Sequence, residues 1–161
     1  MWISIILLLL IIFLYYSYGM YFKEYFEVKK VYNTLQKILD TRDVLVLKLT
    51  SEKLPKKEIA NIIMLIDNRK NTKKCGYTIR MKADVELSNE LRKFYPKLLK
   101  VINNDLSKDI FKKVIELEKQ AKKTRIAYNN AVENYNNNLV LHKKVCMRLI
   151  RMKPLDIYSN I

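Results

Sequence analysis

Few residues in this chain have the type and spacing to do chemistry. His142 and Cys146 stand four apart, one helical turn, and could present two ligands to a soft metal. Structural zinc takes four protein ligands and catalytic zinc three, while the whole chain holds one His and two Cys. As a general base, His142 would need a nucleophile in a recognisable motif, and none accompanies it. Glu116 and Glu118 are two positions apart, so on a helix they point to different faces and do not converge as an acid–base pair. The two glycines, Gly19 and Gly76, stand alone, which leaves no Gly-rich phosphate loop. The residues therefore predict a protein that is not an enzyme, with no catalytic residue, cofactor or metal.

Charge is the stronger signal. The 161 residues carry 31 Lys and Arg against 16 Asp and Glu, a formal charge of +15. Arg69, Lys70, Lys73, Lys74, Arg80 and Lys82 lie within residues 69–82 with no acid among them. Lys143, Lys144, Arg148, Arg151 and Lys153 form a second acid-free cluster, interleaved with Val145, Met147, Leu149, Ile150 and Met152. A solvated surface is the default reading of both. The second cluster ends a long helix that can return to a bilayer, where each Lys or Arg near anionic headgroups contributes about 1 kcal/mol. Those five residues are therefore predicted as an anionic-lipid contact.

The elements that position these residues are helices. Half of the residues are hydrophobic, with only 2 Gly and 3 Pro, too few for the turns of a sandwich, barrel or doubly wound sheet. Residues 1–22 carry no charge and would span about 33 Å as a helix, enough for the hydrocarbon core. Trp2 lies at one end and Tyr15, Tyr16, Tyr18 and Tyr21 at the other, as interfacial aromatics do. A cleaved signal peptide would need a basic start and a small-residue cleavage site, and neither is present. A buried soluble helix is a poor third reading, because residues 5–14 are apolar on every face. Lys23, Lys29 and Lys30 then place residues 23–161 on the cytoplasmic side.

Beyond the anchor, Val28, Val31, Leu35, Ile38, Arg42, Leu45 and Leu49 alternate spacings of 3 and 4, one helical face that is apolar except at Arg42. A lone charge there needs a partner, and Glu118 on the last helix is the candidate. Ile59, Ile62, Ile63 and Ile66 mark a second helix, and residues 68–78 read as a loop. A third helix starts near Met81, with Leu87, Leu91 and Phe94 inward, and stops or kinks at Pro96. Ser107 is a plausible N-cap for the fourth helix. Its seam runs Ile110, Val114, Leu117, Ala121, Thr124, Tyr128, Ala131, Tyr135, Asn138 and His142. The fold predicted is all-α: an N-terminal transmembrane helix followed by an elongated antiparallel four-helix (up-down) bundle. The expected parts are an anchor at 1–22, a cytoplasmic helical bundle at 23–146 and a basic tail at 147–161.

The most specific stretch is residues 118–136, EKQAKKTRIAYNNAVENYN. Tyr128-Asn129 and Tyr135-Asn136 share a helix face, and Tyr32-Asn33 opens the first helix beyond the anchor. With Glu118, Arg125, Ala131 and Val132, this pattern resembles the LemA family. Tyr95-Pro96 and Met152-Lys153-Pro154 resemble its Tyr-Pro and Phe-Lys-Pro. The chain departs from the family in lacking a Trp after Tyr32-Asn33 and a Gly-rich end, and residues 43–84 match poorly. The resemblance implies an anchored antiparallel bundle and no defined reaction. The Tyr-Asn pairs read first as packing and register, and second as a ligand or partner surface.

The leading functional reading is a membrane-anchored scaffold or adaptor whose partners are membrane lipid and an unidentified protein, with self-association left open. The alternative is membrane-tethered, non-specific nucleic-acid binding through the +15 charge. Nucleic acid is disfavoured as a partner, because no helix-turn-helix, zinc finger or aromatic sheet motif is visible.

Overall fold

The computed structural model describes residues 2–50, 56–142 and 153–158, with side chains at all of these except 3, 17, 20, 21 and 140–142. Every regular element among them is helical: α1 Trp2–Leu49, α2 Lys56–Asn71, a 3-10 turn Thr72–Lys74, α3 Tyr77–Val101 and α4 Asp105–His142. No strand occurs among the described residues.

The element boundaries correct three expectations. The predicted loop at 68–78 shrinks to the turn after Asn71, because α2 continues far enough to bury Arg69. Thr72 Oγ1 donates to the Arg69 carbonyl at 2.7 Å and closes that helix end. Pro96 does not stop α3, which runs on to Val101. Proline leaves the carbonyl four residues earlier without a donor. That residue is Arg92, and both it and Pro96 lie on the exposed face, where the freed carbonyl is open to solvent. Ser107 is not the cap of α4; the Leu106 backbone N–H donates to Asn104 Oδ1 at 3.1 Å.

The seams are also displaced. On α1 the buried positions include Tyr32, Gln36, Leu39, Asp43 and Val46 beside Val28, Leu35, Arg42 and Leu49. On α4 they include Val114, Ala121, Arg125, Tyr128, Val132, Tyr135 and Leu139. The expected Leu117, Thr124, Ala131 and Asn138 are only half-buried. On α2, Leu65 and Arg69 join Ile62 and Ile66, while Ile63 turns outward. Leu87, Leu91 and Phe94 are buried as expected.

The chain forms two compact units: Met1–Asn33 with Ile126–Ile157, and Thr34–Arg125 with Tyr158–Ile161. In the first, α1 and α4 run antiparallel. Glu24 accepts from Asn138, the Tyr25 and Tyr135 rings lie 6.3 Å apart, and those of Tyr32 and Tyr128 lie 5.8 Å apart. Residues 5–13 of this unit are apolar and exposed at every position.

In the second unit the order of contacts shows α2 antiparallel to α3, through Arg69–Asp84 and Glu58–Lys97. It also shows α3 antiparallel to α4, through Ser88–Arg125 and Tyr95–Glu118. Its apolar core includes Leu49, Ile62, Ile66, Leu91, Phe94 and Val114. Among the described residues no helix is long and apolar enough to cross a membrane. The longest fully described apolar run there is residues 5–16, against the roughly 20 that a bilayer needs.

Candidate functional site

In the second unit, charged residues sit where a helical core ordinarily holds Leu and Ile. Arg42, Arg69 and Asp84 are wholly buried and Asp43 is 1% exposed. Gln36, Ser88, Arg125 and Tyr158 are buried with them. An unpaired charge there would cost several kcal/mol, so the arrangement of partners decides whether the unit folds.

Arg69 is the hub. Its Nε donates to Asp84 Oδ1, its Nη1 to Asp40 Oδ1 at 2.6 Å and Asp43 Oδ2 at 2.7 Å, and its Nη2 to Gln36 Oε1 at 2.8 Å. Asp84 Oδ2 accepts from Gln36 Nε2 at 2.8 Å and from the Tyr158 hydroxyl at 2.7 Å. Arg42 reaches Asp43 Oδ1 through Nε and Nη2 at 3.0 and 2.8 Å, and its Nη1 donates to Ser88 Oγ and Glu118 Oε1, both at 2.9 Å. Tyr95 donates to Glu118 at 3.2 Å. Arg125 Nη2 donates to Ser88 Oγ at 2.8 Å, with its guanidinium carbon 5.9 Å from the Tyr158 ring centre. Arg80 lies 3.7 Å from Asp40.

Four arginines (42, 69, 80 and 125) thus meet four carboxylates (40, 43, 84 and 118), and Lys73 adds a fifth cation at the rim, 3.1 Å from Asp40. The forked guanidinium suits this role, because it offers five donors in one plane and bridges several helices at once.

The electrostatics follow from this packing. Burial pushes the Arg69 guanidinium down, but Asp84 and Asp43 outweigh it and hold it firmly protonated. Burial likewise opposes charge on Arg42, and Asp43 and Glu118 restore it. Burial and the Glu118 charge push the Tyr95 phenol far up, so it serves only as a donor. Arg125 is the least supported cation. Burial lowers it, Glu118 pulls it back, and the Arg42 charge opposes it. Its Nε has no hydrogen-bond partner.

At the rim, burial raises Asp40, yet Arg69 and Lys73 outweigh this and leave it below its usual 3.8. A carboxyl depressed in the folded state stabilises the fold above its unfolded pKa and loses that contribution as pH falls through the folded value. Asp40→Asn should therefore flatten the acid limb of the stability curve below about pH 4 while leaving its shape near neutrality unchanged. Unfolding in urea across a pH series checks this; parallel curves for both chains would contradict it.

The sequence-predicted residues divide among distinct surroundings. Glu118 and Arg125 join the buried cluster, and the Arg42–Glu118 pair forms as expected. Tyr32, Tyr128 and Tyr135 are buried in the first unit, with Val132. Asn33 is exposed, while Asn129, Asn136 and Ala131 are half-buried. Three of these α4 residues hold the irregular segment 153–157. The Tyr128 hydroxyl donates to the Asp156 carbonyl at 3.2 Å and that of Tyr135 to the Lys153 carbonyl at 3.3 Å. The Asn136 side chain donates to the Leu155 carbonyl at 2.9 Å and accepts the Leu155 N–H at 3.0 Å.

The basic run at 69–82 is not the uniform solvated surface expected: Arg69 is wholly buried, the Arg80 side chain is only 12% exposed, and the lysines remain outside. In the second basic cluster, Lys153 is exposed, and Lys143, Lys144, Arg148 and Arg151 lie outside the described residues. The His142 side chain and Cys146 lie outside them as well.

Sequence reasoning missed Arg69, Asp43, Asp84, Gln36 and Tyr158. For Arg69 a signal existed, since it falls seven residues after Ile62 and so on the same buried face. Among the described residues no three His, Cys, Asp or Glu side chains group as a metal site. No protein-family model, curated protein or solved structure matches the chain.

Proposed function

We propose that the chain is a membrane-anchored, non-catalytic scaffold or adaptor of LemA type, presenting an up-down helical bundle at the cytoplasmic face. One observation carries this reading. Residues 5–13 of α1 expose apolar side chains at every position, from Ile5 at 44% to Ile6 at 63%, while the same helix buries a seam from Val28 onward. A continuous apolar surface around a whole helix is costly in water and favourable in a bilayer. The full span of the anchor is read from the uncharged residues 1–22. The side of the membrane follows from Lys23, Lys29 and Lys30.

The scaffold reading draws support from the buried cluster, where each described carboxylate is engaged by arginines or by hydroxyl and amide donors of the same unit. Such a network fixes helix register, a role for which buried polar groups are best attested. The LemA reading draws support from where its motif falls: Glu118 and Arg125 in that cluster, and Tyr128, Tyr135 and Asn136 against the C-terminal segment.

Fractionation of cells expressing the full chain tests the anchor. The chain should stay with membranes through high salt and alkaline carbonate. Leu8→Arg with Ile11→Arg should release most of it, since each charge costs about 2.5–3.5 kcal/mol at mid-bilayer. Release of the unaltered chain by salt alone would replace the anchor with a peripheral, charge-driven association, and release by nuclease would favour nucleic acid. Gentle solubilisation and identification of stoichiometric proteins tests the adaptor role.

A further inference from the structure

Residues 153–157 lie against α4 without joining a helix, and the way α4 holds them is selective for one thing. Tyr135 and Tyr128 donate to the carbonyls of Lys153 and Asp156, and the Asn136 amide pairs with both the N–H and the C=O of Leu155. These four hydrogen bonds all end on main-chain atoms. A residue that offers its N–H and C=O to the same side is extended, as in an antiparallel ladder, and Asn136 plays the part of the neighbouring strand. Meanwhile Lys153, Pro154, Asp156 and Ile157 turn their side chains to solvent, and Leu155 is half-buried. The α4 residues thus read the backbone of an extended peptide and are nearly indifferent to its side chains.

Ten residues separate His142 from Lys153 and can span up to about 33 Å, whereas Tyr135 lies only about 10 Å back along the helix from His142. Because residues 153–157 belong to the same chain as α4, their binding is intramolecular, and modest contacts suffice to keep them seated. An incoming segment must then compete with a tethered rival.

We propose that Tyr128, Tyr135 and Asn136 form a recognition site for the main chain of an extended peptide, held in cis by residues 153–157 and taken over by an extended segment of a partner protein. Resting on the adaptor reading, this names the class of partner and the competitor that regulates it.

Two measurements on the full chain in detergent test this, and neither depends on which membrane holds it. Hydrogen exchange reads the opening directly. The Leu155 amide should exchange at least about 100-fold faster than those of Leu91 and Val132, because it opens without global unfolding. Equal protection at all three would make the strap a permanent part of the fold and overturn the proposal. The second measurement uses a fluorescent synthetic peptide of residues 152–158 added in trans. Leu155→Pro removes the N–H that Asn136 accepts and weakens the strap, so this variant should bind the peptide at least about tenfold more tightly than the unaltered chain. Adding Asn136→Ala should abolish that gain. A Leu155→Pro chain of unchanged helicity with no gain, or a gain that survives Asn136→Ala, would refute the site. Loss of membrane association in fractionation would overturn the anchor while leaving these results standing.

Discussion

Asp84→Ala is expected to lower stability by about 3–5 kcal/mol, among the largest effects any single substitution in this chain should produce. The reason is what it leaves behind. Asp84 is wholly buried and accepts from Arg69, Gln36 and Tyr158. Without it, the Arg69 Nε, the Gln36 amide and a phenol all lose an acceptor in the interior. The net charge of the cluster also rises by one. Asp84→Asn has the same shape but must aim its NH2 either at Arg69 or at the two donors on the other oxygen, so it should cost nearly as much. A chain of this size would lose roughly 6–20 °C of Tm from 3–5 kcal/mol. Thermal unfolding of the full chain in detergent gives the answer. A loss under about 1 kcal/mol for both variants would mean that Arg69 finds adequate partners in Asp40 and Asp43 alone.

What sequence could reveal about this cluster depended on how far apart its members lie. Arg42 stood out because it interrupts an apolar helical face, and Glu118 was its candidate as an acid on the last helix, expected beside the first; the two meet at 2.9 Å. Arg69 was hidden by its neighbours. Five further basic residues within 69–82 made it look like part of a surface run, although its seven-residue spacing from Ile62 assigns it to the buried face of α2. Linear charge clusters and helix faces compete as readings, and periodicity prevails where the helix continues. Asp43 and Asp84 gave no local signal at all. Neither belongs to a motif, and only the tertiary arrangement shows that Arg69 lies between them.

Pro96 misled in the opposite direction, because on the exposed face of α3 the freed carbonyl loses least. Tyr158 could not have been read from helical patterns, since it follows a segment with no period. Most of the Tyr-Asn motif was legible as a shared helix face. Its use in holding another stretch of backbone was not, because backbone carbonyls carry no sequence signature.

The Arg42–Glu118 pair separates a network from a sum of contacts. Arg42→Ala leaves Glu118 with the Tyr95 hydroxyl as its hydrogen-bond donor and Asp43 with Arg69, so about 3–5 kcal/mol should be lost. Glu118→Ala should cost less, about 1–3 kcal/mol. Arg42 keeps two hydrogen bonds to Asp43 and one to Ser88, and the Glu118 side chain is already 22% exposed, so water can replace it. The double variant should then lose less than the two single losses added together, with a coupling of about 1–3 kcal/mol. Arg42→Lys completes the argument. Lysine keeps the charge but has no fork, so it cannot serve Asp43, Ser88 and Glu118 from one plane. If charge alone mattered, the lysine chain would match the original. If the fork fixes the register of α1 against α3 and α4, it should lose about half of what alanine loses. A coupling near zero in the double-mutant cycle would reduce the pair to proximity and leave Asp43 as the partner that keeps Arg42 in the core.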